Sequence, residues 1–278
     1  MQRLLTAAVA VPLALVALFC LPSTWWFVVL ALFAEIAAWE YLVIVRARAP
    51  RAPLLPLLVL VPLAAVALSA SMMTPAPLAA ARLLIGSTLL SVGLGSLVLL
   101  SRTPLDQAIP ALGILCFGIP YFAVPVASLH QLQRADPWLV FLLMAIVWLG
   151  DTAAYYAGSR LGRHKMAPVI SPKKSWEGAI AGFVTSVVAA AVWSVWRLGR
   201  LDPALLGVAA VTAVAAQVGD LVESLIKRGS GVKDSGNVLP GHGGVLDRLD
   251  AMLFAAPVFL LGLWWLRIDG IAGLLSGR

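Results

Sequence analysis

Charged side chains are scarce in this chain: Asp, Glu, Lys and Arg make up 12% of 278 residues, against 61% hydrophobic residues. So few polar groups cannot cover the surface of a water-soluble globule of this length, which excludes a soluble domain. Cysteine is limited to Cys20 and Cys116, both inside apolar stretches and without metal-ligand or redox spacing, so neither a disulfide framework nor a cysteine zinc site has support. Histidine is equally sparse. His130 and His164 have no evident partners and read as structural or surface positions. Acids are outnumbered by bases, 13 to 20, for a net charge of +7. The basic residues form no aromatic-interleaved patch and lie in loops between apolar stretches, which argues against a nucleic-acid partner.

What is abundant is apolar length, with a mean hydropathy of +0.96. A spanning helix needs about 20 mostly apolar residues, and such stretches recur at 4–21, 24–45, 53–71, 77–100, 107–128, 137–158, 177–196, 203–226 and 249–267. Turn signals separate them, among them Leu21-Pro22, Ala49-Pro50, Thr74-Pro75, Thr103-Pro104 and Asp136-Pro137. The first stretch has no cleavage site followed by a polar region and reads as a retained helix rather than a signal peptide. The expected fold is all-α, a polytopic integral membrane protein with about nine transmembrane helices embedded in membrane lipids. It divides into an N-terminal region, 1–135, of about five spans and a C-terminal region, 136–278, of about four spans with two polar loops.

Basic residues set the expected orientation, because cytoplasmic loops keep an excess of Lys and Arg. Placing the even-to-odd loops on one side collects thirteen of the 20 basic residues there, including Arg46, Arg48, Lys173, Lys174, Lys227, Arg228 and Lys233. Both long polar loops then face the cytoplasm.

Those loops, 150–178 and 219–250, hold seven of the 13 acids: Asp151, Glu177, Asp220, Glu223, Asp234, Asp247 and Asp250. Ionised groups near a bilayer cost free energy, so their clustering argues for a use. Asp220, Glu223, Ser224, Lys227 and Arg228 share one helical face at i, i+3, i+4, i+7 and i+8. Local ion pairs easing a helix out of the membrane account for that stripe equally well. The loop that follows is glycine-rich, at 229, 231, 236, 241, 243 and 244, and carries Lys233; it has the composition of a polyphosphate cradle. Asp247 and Asp250 then open the last span, where helix capping is the plainer role. Asp220 and Asp247 are together a candidate all-oxygen magnesium pair. Upstream, Lys173 and Lys174 are candidates for gripping a phosphate, or a basic turn obeying the charge rule alone.

The run Ser224-Leu225-Ile226-Lys227-Arg228, then Lys233-Asp234, then Pro240-Gly241-His242-Gly243-Gly244-Val245-Leu246-Asp247-Arg248-Leu249-Asp250 resembles the signature of the phosphatidate cytidylyltransferase (CDP-diacylglycerol synthase) family. The likeness extends to Gly219-Asp220, Asp151, Tyr155, Gly158, Gly162 and 171–178, with a weaker echo at Ala37-Ala38-Trp39-Glu40-Tyr41. It covers the C-terminal half strongly and the first five spans mainly by hydropathy.

The resemblance implies a multi-span enzyme, often a homodimer, that needs a divalent cation and joins CTP to phosphatidic acid, giving CDP-diacylglycerol and pyrophosphate for phospholipid synthesis. The expected catalytic residues are Asp220, Lys227, Arg228, Lys233, Asp247, Arg248 and Asp250. Substrate-binding candidates are Asp151, Ser171, Lys173, Lys174, Ser224, Asn237, His242, Gly243 and Gly244. Asp220 and Asp247 would hold Mg2+, with a second cation as a further candidate. A bacterial inner membrane, with the site facing the cytoplasm, is the expected location. The main alternative is an ion- or proton-coupled transporter, which explains acids at span ends but leaves the Lys- and Gly-rich loop without a role. A CDP-alcohol phosphatidyltransferase would need a run of aspartates over two helical turns that this chain lacks.

Overall fold

The computed structural model describes residues 2–51, 54–72, 85–86, 89, 92–93, 96–98, 100–101, 103–236, 238 and 243–266. Helix dominates. α1 is Gln2–Cys20 and α2 is Ser23–Val45, followed by a 3-10 turn at Arg46–Arg48. α3 is Pro56–Ser71, α4 Leu105–Ala135, α5 Pro137–Leu161, α6 Trp176–Leu198, α7 Pro203–Gly229 and α8 Leu246–Leu266. Between α5 and α6, β1 (Lys165–Ala167) and β2 (Ser171–Ser175) pair antiparallel.

Among the described residues six helices, α2 and α4 to α8, are long and apolar enough to cross a membrane, and the chain is a polytopic helical protein with one small hairpin. The expected nine spans are not reached among the described residues. α3 has 16 residues, about 24 Å of helix against a hydrocarbon core of about 30 Å. The expected span at 77–100 lies mostly outside the described residues.

Helix ends follow local chemistry. Asp136 caps α5 by accepting from the Trp138 amide at 3.0 Å, with Pro137 in the first turn where its missing N–H costs nothing. Ser175 caps α6 by accepting from the Gly178 amide at 3.2 Å. Asp202 caps α7, accepting from Ala204 at 3.0 Å and Leu205 at 3.2 Å. Gly231, with φ +79, ends α7 in a Schellman turn: the Val232 amide donates to Lys227 and the Gly231 amide to Arg228, both at 3.0 Å.

Two compact units divide the chain: Met1–Gln131 with Ile226–Leu249, and Leu132–Leu225 with Asp250–Arg278. In the first, Tyr41 of α2 packs edge-on to Phe122 of α4 at 5.7 Å and donates its hydroxyl to the Ile114 carbonyl at 3.2 Å. His130 is buried there with its ring 5.1 Å from Phe27, as a structural residue.

In the second unit α5 and α6 meet along two rows of small residues spaced by four, Gly150, Ala154 and Gly158 against Gly178, Gly182 and Ser186. A Cβ on Gly182 would lie 2.8 Å from the Gly150 carbonyl, and one on Gly178 2.7 Å from that of Ala154. Small residues let the backbones approach where lipid supplies no hydrophobic drive between helices. The Ser186 hydroxyl crosses to the Ile146 carbonyl at 2.7 Å. α7 packs on α8 just as closely at Gly219, whose added Cβ would be 2.7 Å from the Asp250 carbonyl.

Candidate active site

A polar cluster that gathers sequence candidates lies in the second unit. Its base is the β1–β2 hairpin, with Lys165 facing Ser175 and Ala167 facing Ser171. Pro168 starts the connecting turn and Pro172 sits on an edge strand, where no ladder donor is missed. Ser171 is half-buried at the start of β2, Lys173 is exposed and Lys174 is half-buried. The Lys174 ammonium pairs with Asp220 of α7 at 2.6 Å. Gln217, one turn before Asp220, donates its side-chain amide to the Ala179 carbonyl in the first turn of α6 at 3.0 Å, which brings that face of α7 to the hairpin. Asp151 of α5 lies within electrostatic range of both Asp220 and Lys174. Three sequence candidates from three elements thus meet in one place.

The same hairpin corrects the reading of His164. Its Nδ1 lies 2.6 Å from the Glu177 carboxylate, which also accepts from the His164 amide at 3.1 Å. The partner stands across the hairpin, a fold that a Lys- and Pro-rich stretch of low strand propensity does not announce. The His164 side chain is 79% exposed, so solvent screens the pair and His164→Ala should leave the thermal midpoint close to wild type. Turnover should stay near wild type, and a large loss in either measurement would give this pair a function.

The first unit carries the other cluster. Lys227, in the last turn of α7, reaches Asp247 in the first turn of α8, Nζ to Oδ1 at 2.5 Å, with side chains only 13% and 6% exposed. Asp247 also accepts from the Ser235 amide at 3.1 Å and the Gly244 amide at 2.9 Å, so one carboxylate holds both described ends of the glycine-rich loop. Arg48 donates to the Gly229 carbonyl at the C-terminus of α7, where a cation meets the negative end of the helix dipole.

Three loop glycines have a packing reason besides any ligand. Gly243, at φ +80, would put a Cβ 2.6 Å from Asp247 Oδ2. Gly236 would put one 2.7 Å from Glu40 Oε1, and Gly244 would run into Ser235 and Glu40. The missing side chains make room for protein carboxylates.

Of the remaining candidates, Ser224 is half-buried on α7, while Arg228, Lys233 and Arg248 are exposed. The Arg228 guanidinium donates to the Val232 carbonyl at 3.2 Å. Asp250 is half-buried in α8 and accepts from the adjacent Ala251 amide at 2.7 Å. Asn237 and His242 lie outside the described residues. No group of three or more His, Cys, Asp or Glu side chains arranged for a metal occurs among the described residues.

Glu40 does more than its place in the weaker stretch of the motif suggests. It is 3% exposed on α2 and accepts from the Ser235 hydroxyl at 3.0 Å, the Val245 amide at 3.0 Å and the Leu246 amide at 2.8 Å. The signal was an acid inside an apolar span.

The profile of the cytidylyltransferase family matches residues 1–266. The chain belongs to the cytidylyltransferase family. Both polar clusters of this cytidylyltransferase-family chain fall inside the matched region. It is similar to a phosphatidate cytidylyltransferase of Haemophilus influenzae, 40% identical over 168 residues, 57% of this chain and 57% of that protein. One from Pseudomonas aeruginosa is 45% identical over 129 residues, covering 45% and 47%. One from Staphylococcus saprophyticus is 36% identical over 167 residues, covering 59% and 64%. Each match spans less than two thirds of the relative's own length.

Proposed function

We propose that this chain is a phosphatidate cytidylyltransferase, a membrane enzyme joining CTP to phosphatidic acid to give CDP-diacylglycerol and pyrophosphate. The observation that carries the reading is the pairing of Lys227 with Asp247 inside the matched region, with the Asp247 carboxylate gathering the glycine-rich loop. The names of the similar proteins point the same way.

A phosphatidate oxygen attacks the α-phosphorus of CTP, and the bond to pyrophosphate breaks. Both partners are anionic, so positioning and neutralisation of charge carry most of the catalysis. Lys227, Arg228, Lys233 and Arg248 supply positive charge in one unit, and Lys173 and Lys174 in the other. The attacking phosphate already bears its charge, and no strong general base is required. Asp151, Ser171, Ser224, Asn237, His242, Gly243, Gly244 and Asp250 complete the proposed substrate and catalytic set.

Asp220 in one unit and Asp247 in the other are the carboxylates proposed as ligands for Mg2+, each an oxygen donor of the kind that ion takes, and a second cation is part of the proposal. When bound, it would neutralise charge on the CTP phosphates. Lys174 already holds Asp220 Oδ2 at 2.6 Å, so a cation there competes with that ammonium or binds the other oxygen. At Asp247 the Lys227 ammonium already occupies one oxygen, so a cation there competes with it or shares it. The proposal further includes a multi-pass position in a bacterial inner membrane with the site facing the cytoplasm, supported by the distribution of Lys and Arg. The homodimer follows the family resemblance, and no nucleic-acid partner is proposed.

The test is pyrophosphate release from CTP by the detergent-purified chain. Release should require both added phosphatidate and magnesium. No release under those conditions would remove the reading and favour a transporter. In the same assay Lys174→Met should raise the KM for CTP or phosphatidate about tenfold, the worth of one charge-assisted hydrogen bond. The exposed Lys173→Met should raise it less. Unchanged KM values in both variants would take phosphate contact away from the hairpin.

A further inference from the structure

The geometry points to Glu40 as a positioning residue, a buried carboxylate on α2 that builds the N-terminus of α8 and thereby sets Asp247 in place. Three consecutive amides enter that helix, and two carboxylates divide them. Gly244 donates to Asp247, while Val245 and Leu246 donate to Glu40. Ser235 is held the same way from both sides, its amide by Asp247 and its hydroxyl by Glu40.

The first amides of a helix have no partners within it, and a carboxylate there also meets the positive end of the helix dipole. Most helices take that cap from a neighbouring residue. Here it comes from about 200 residues away, as the sequence separations of 195, 205 and 206 show. Gly236 and Gly244 flank the Glu40 carboxylate so closely that a side chain at either would collide with it. The requirement for glycine is therefore set by Glu40 at 236, and by Glu40 together with Ser235 at 244. Asp247 in turn cannot keep both Ser235 and Gly244 unless the chain on each side of the loop is held where Glu40 puts it. Glu40 touches none of the proposed reacting atoms; it acts through Asp247.

The experiment compares Glu40→Gln, which keeps the shape and one acceptor, with Glu40→Met, which keeps only the volume. Amide hydrogen exchange is followed in the substrate-free full chain in detergent. Exchange over Gly244 to Asp247 should accelerate by about tenfold or more in Glu40→Met, less in Glu40→Gln, and stay unchanged in α5 and α6. The kcat for pyrophosphate release should fall by about 10- to 100-fold in Glu40→Met, with partial recovery in Glu40→Gln. Acceleration spread over the whole chain, or equal losses in both variants, would make Glu40 a packing residue and overturn the inference. So would wild-type exchange and kcat in Glu40→Met.

If Glu40→Met does not fold, Ser235→Ala decides in its place. It should accelerate exchange alone and add nothing in the Glu40→Gln background, whereas simple additivity would reject the shared network. The activity arm rests on the proposed cytidylyl transfer, but the exchange arm uses no substrate. A wild-type chain that released no pyrophosphate would end that proposal and leave the role of Glu40 still decided.

Discussion

Asp220→Asn and Asp247→Asn should each lower pyrophosphate release about a thousandfold, a loss of roughly 4 kcal/mol in transition-state stabilisation, while differing in what they do to the fold. Asp247 and Lys227 are 6% and 13% exposed and share a 2.5 Å contact. An asparagine there removes the carboxylate facing a largely buried ammonium, and turns an amide donor toward that ammonium or toward the Ser235 and Gly244 amides. Breaking such a pair costs about 3 kcal/mol or more. Asp220 and Lys174 are 32% and 23% exposed, so solvent screens the broken pair and Asp220→Asn should cost less than about 1 kcal/mol. Kinetics and thermal midpoints measured in the same detergent micelles separate the two effects. Near-normal turnover in both variants would remove these carboxylates from the chemistry. Equal destabilisation would show that the difference in burial has no energetic consequence.

Gly182→Leu should be the most damaging substitution away from the polar clusters. Its Cβ alone would stand 2.8 Å from the Gly150 carbonyl and 3.1 Å from the Ala154 Cβ, and the backbone on the other side cannot retreat as a side chain would. Overpacking by a few methylenes already costs about 1–3 kcal/mol. A leucine at this contact must push α5 from α6 along their whole shared row. Because α5 carries Asp151 and the hairpin joining the two helices carries Lys174, turnover should collapse together with stability. Gly207→Ala is the control: its Cβ meets nothing within 4 Å, and exchanging glycine for alanine in a helix is neutral or gains up to about 1 kcal/mol. A Gly182→Leu chain with wild-type melting and turnover would mean that the α5–α6 contact is not close.

How much was legible in advance differs from element to element. α5 starts at Pro137, as the Asp136-Pro137 breaker required, because capping and proline geometry are local properties. The stretches expected at 24–45, 177–196 and 203–226 became α2, α6 and α7 with ends moved by at most three residues. The hairpin at 165–175 was missed. Its strands are short, basic and proline-bearing, and what holds them is pairing rather than propensity. The Glu177 partner of His164 was missed for the same reason.

In the candidate site, residue types were legible and their partners were not. The stripe Asp220, Glu223, Ser224, Lys227 and Arg228 promised acids and bases on one face, yet nothing in its spacing says that Lys227 pairs with Asp247 and Asp220 with Lys174. Glycines at 236, 243 and 244 looked like room for a phosphate, and the structure fills the space beside them with Glu40 and Asp247.

Taken alone, the amino-acid order determined the membrane class, most helix limits and the family, because hydropathy, capping and a dense motif act over one helix or one loop. It did not give the end of α4, which runs to Ala135 beyond the expected 128. Tertiary structure alone decided which carboxylate meets which cation, and that Glu40 caps α8. Those contacts join residues 20 to 206 positions apart. Hydrogen bonds and ion pairs of a few ångströms depend on where whole helices are packed, and local spacing carries no record of that.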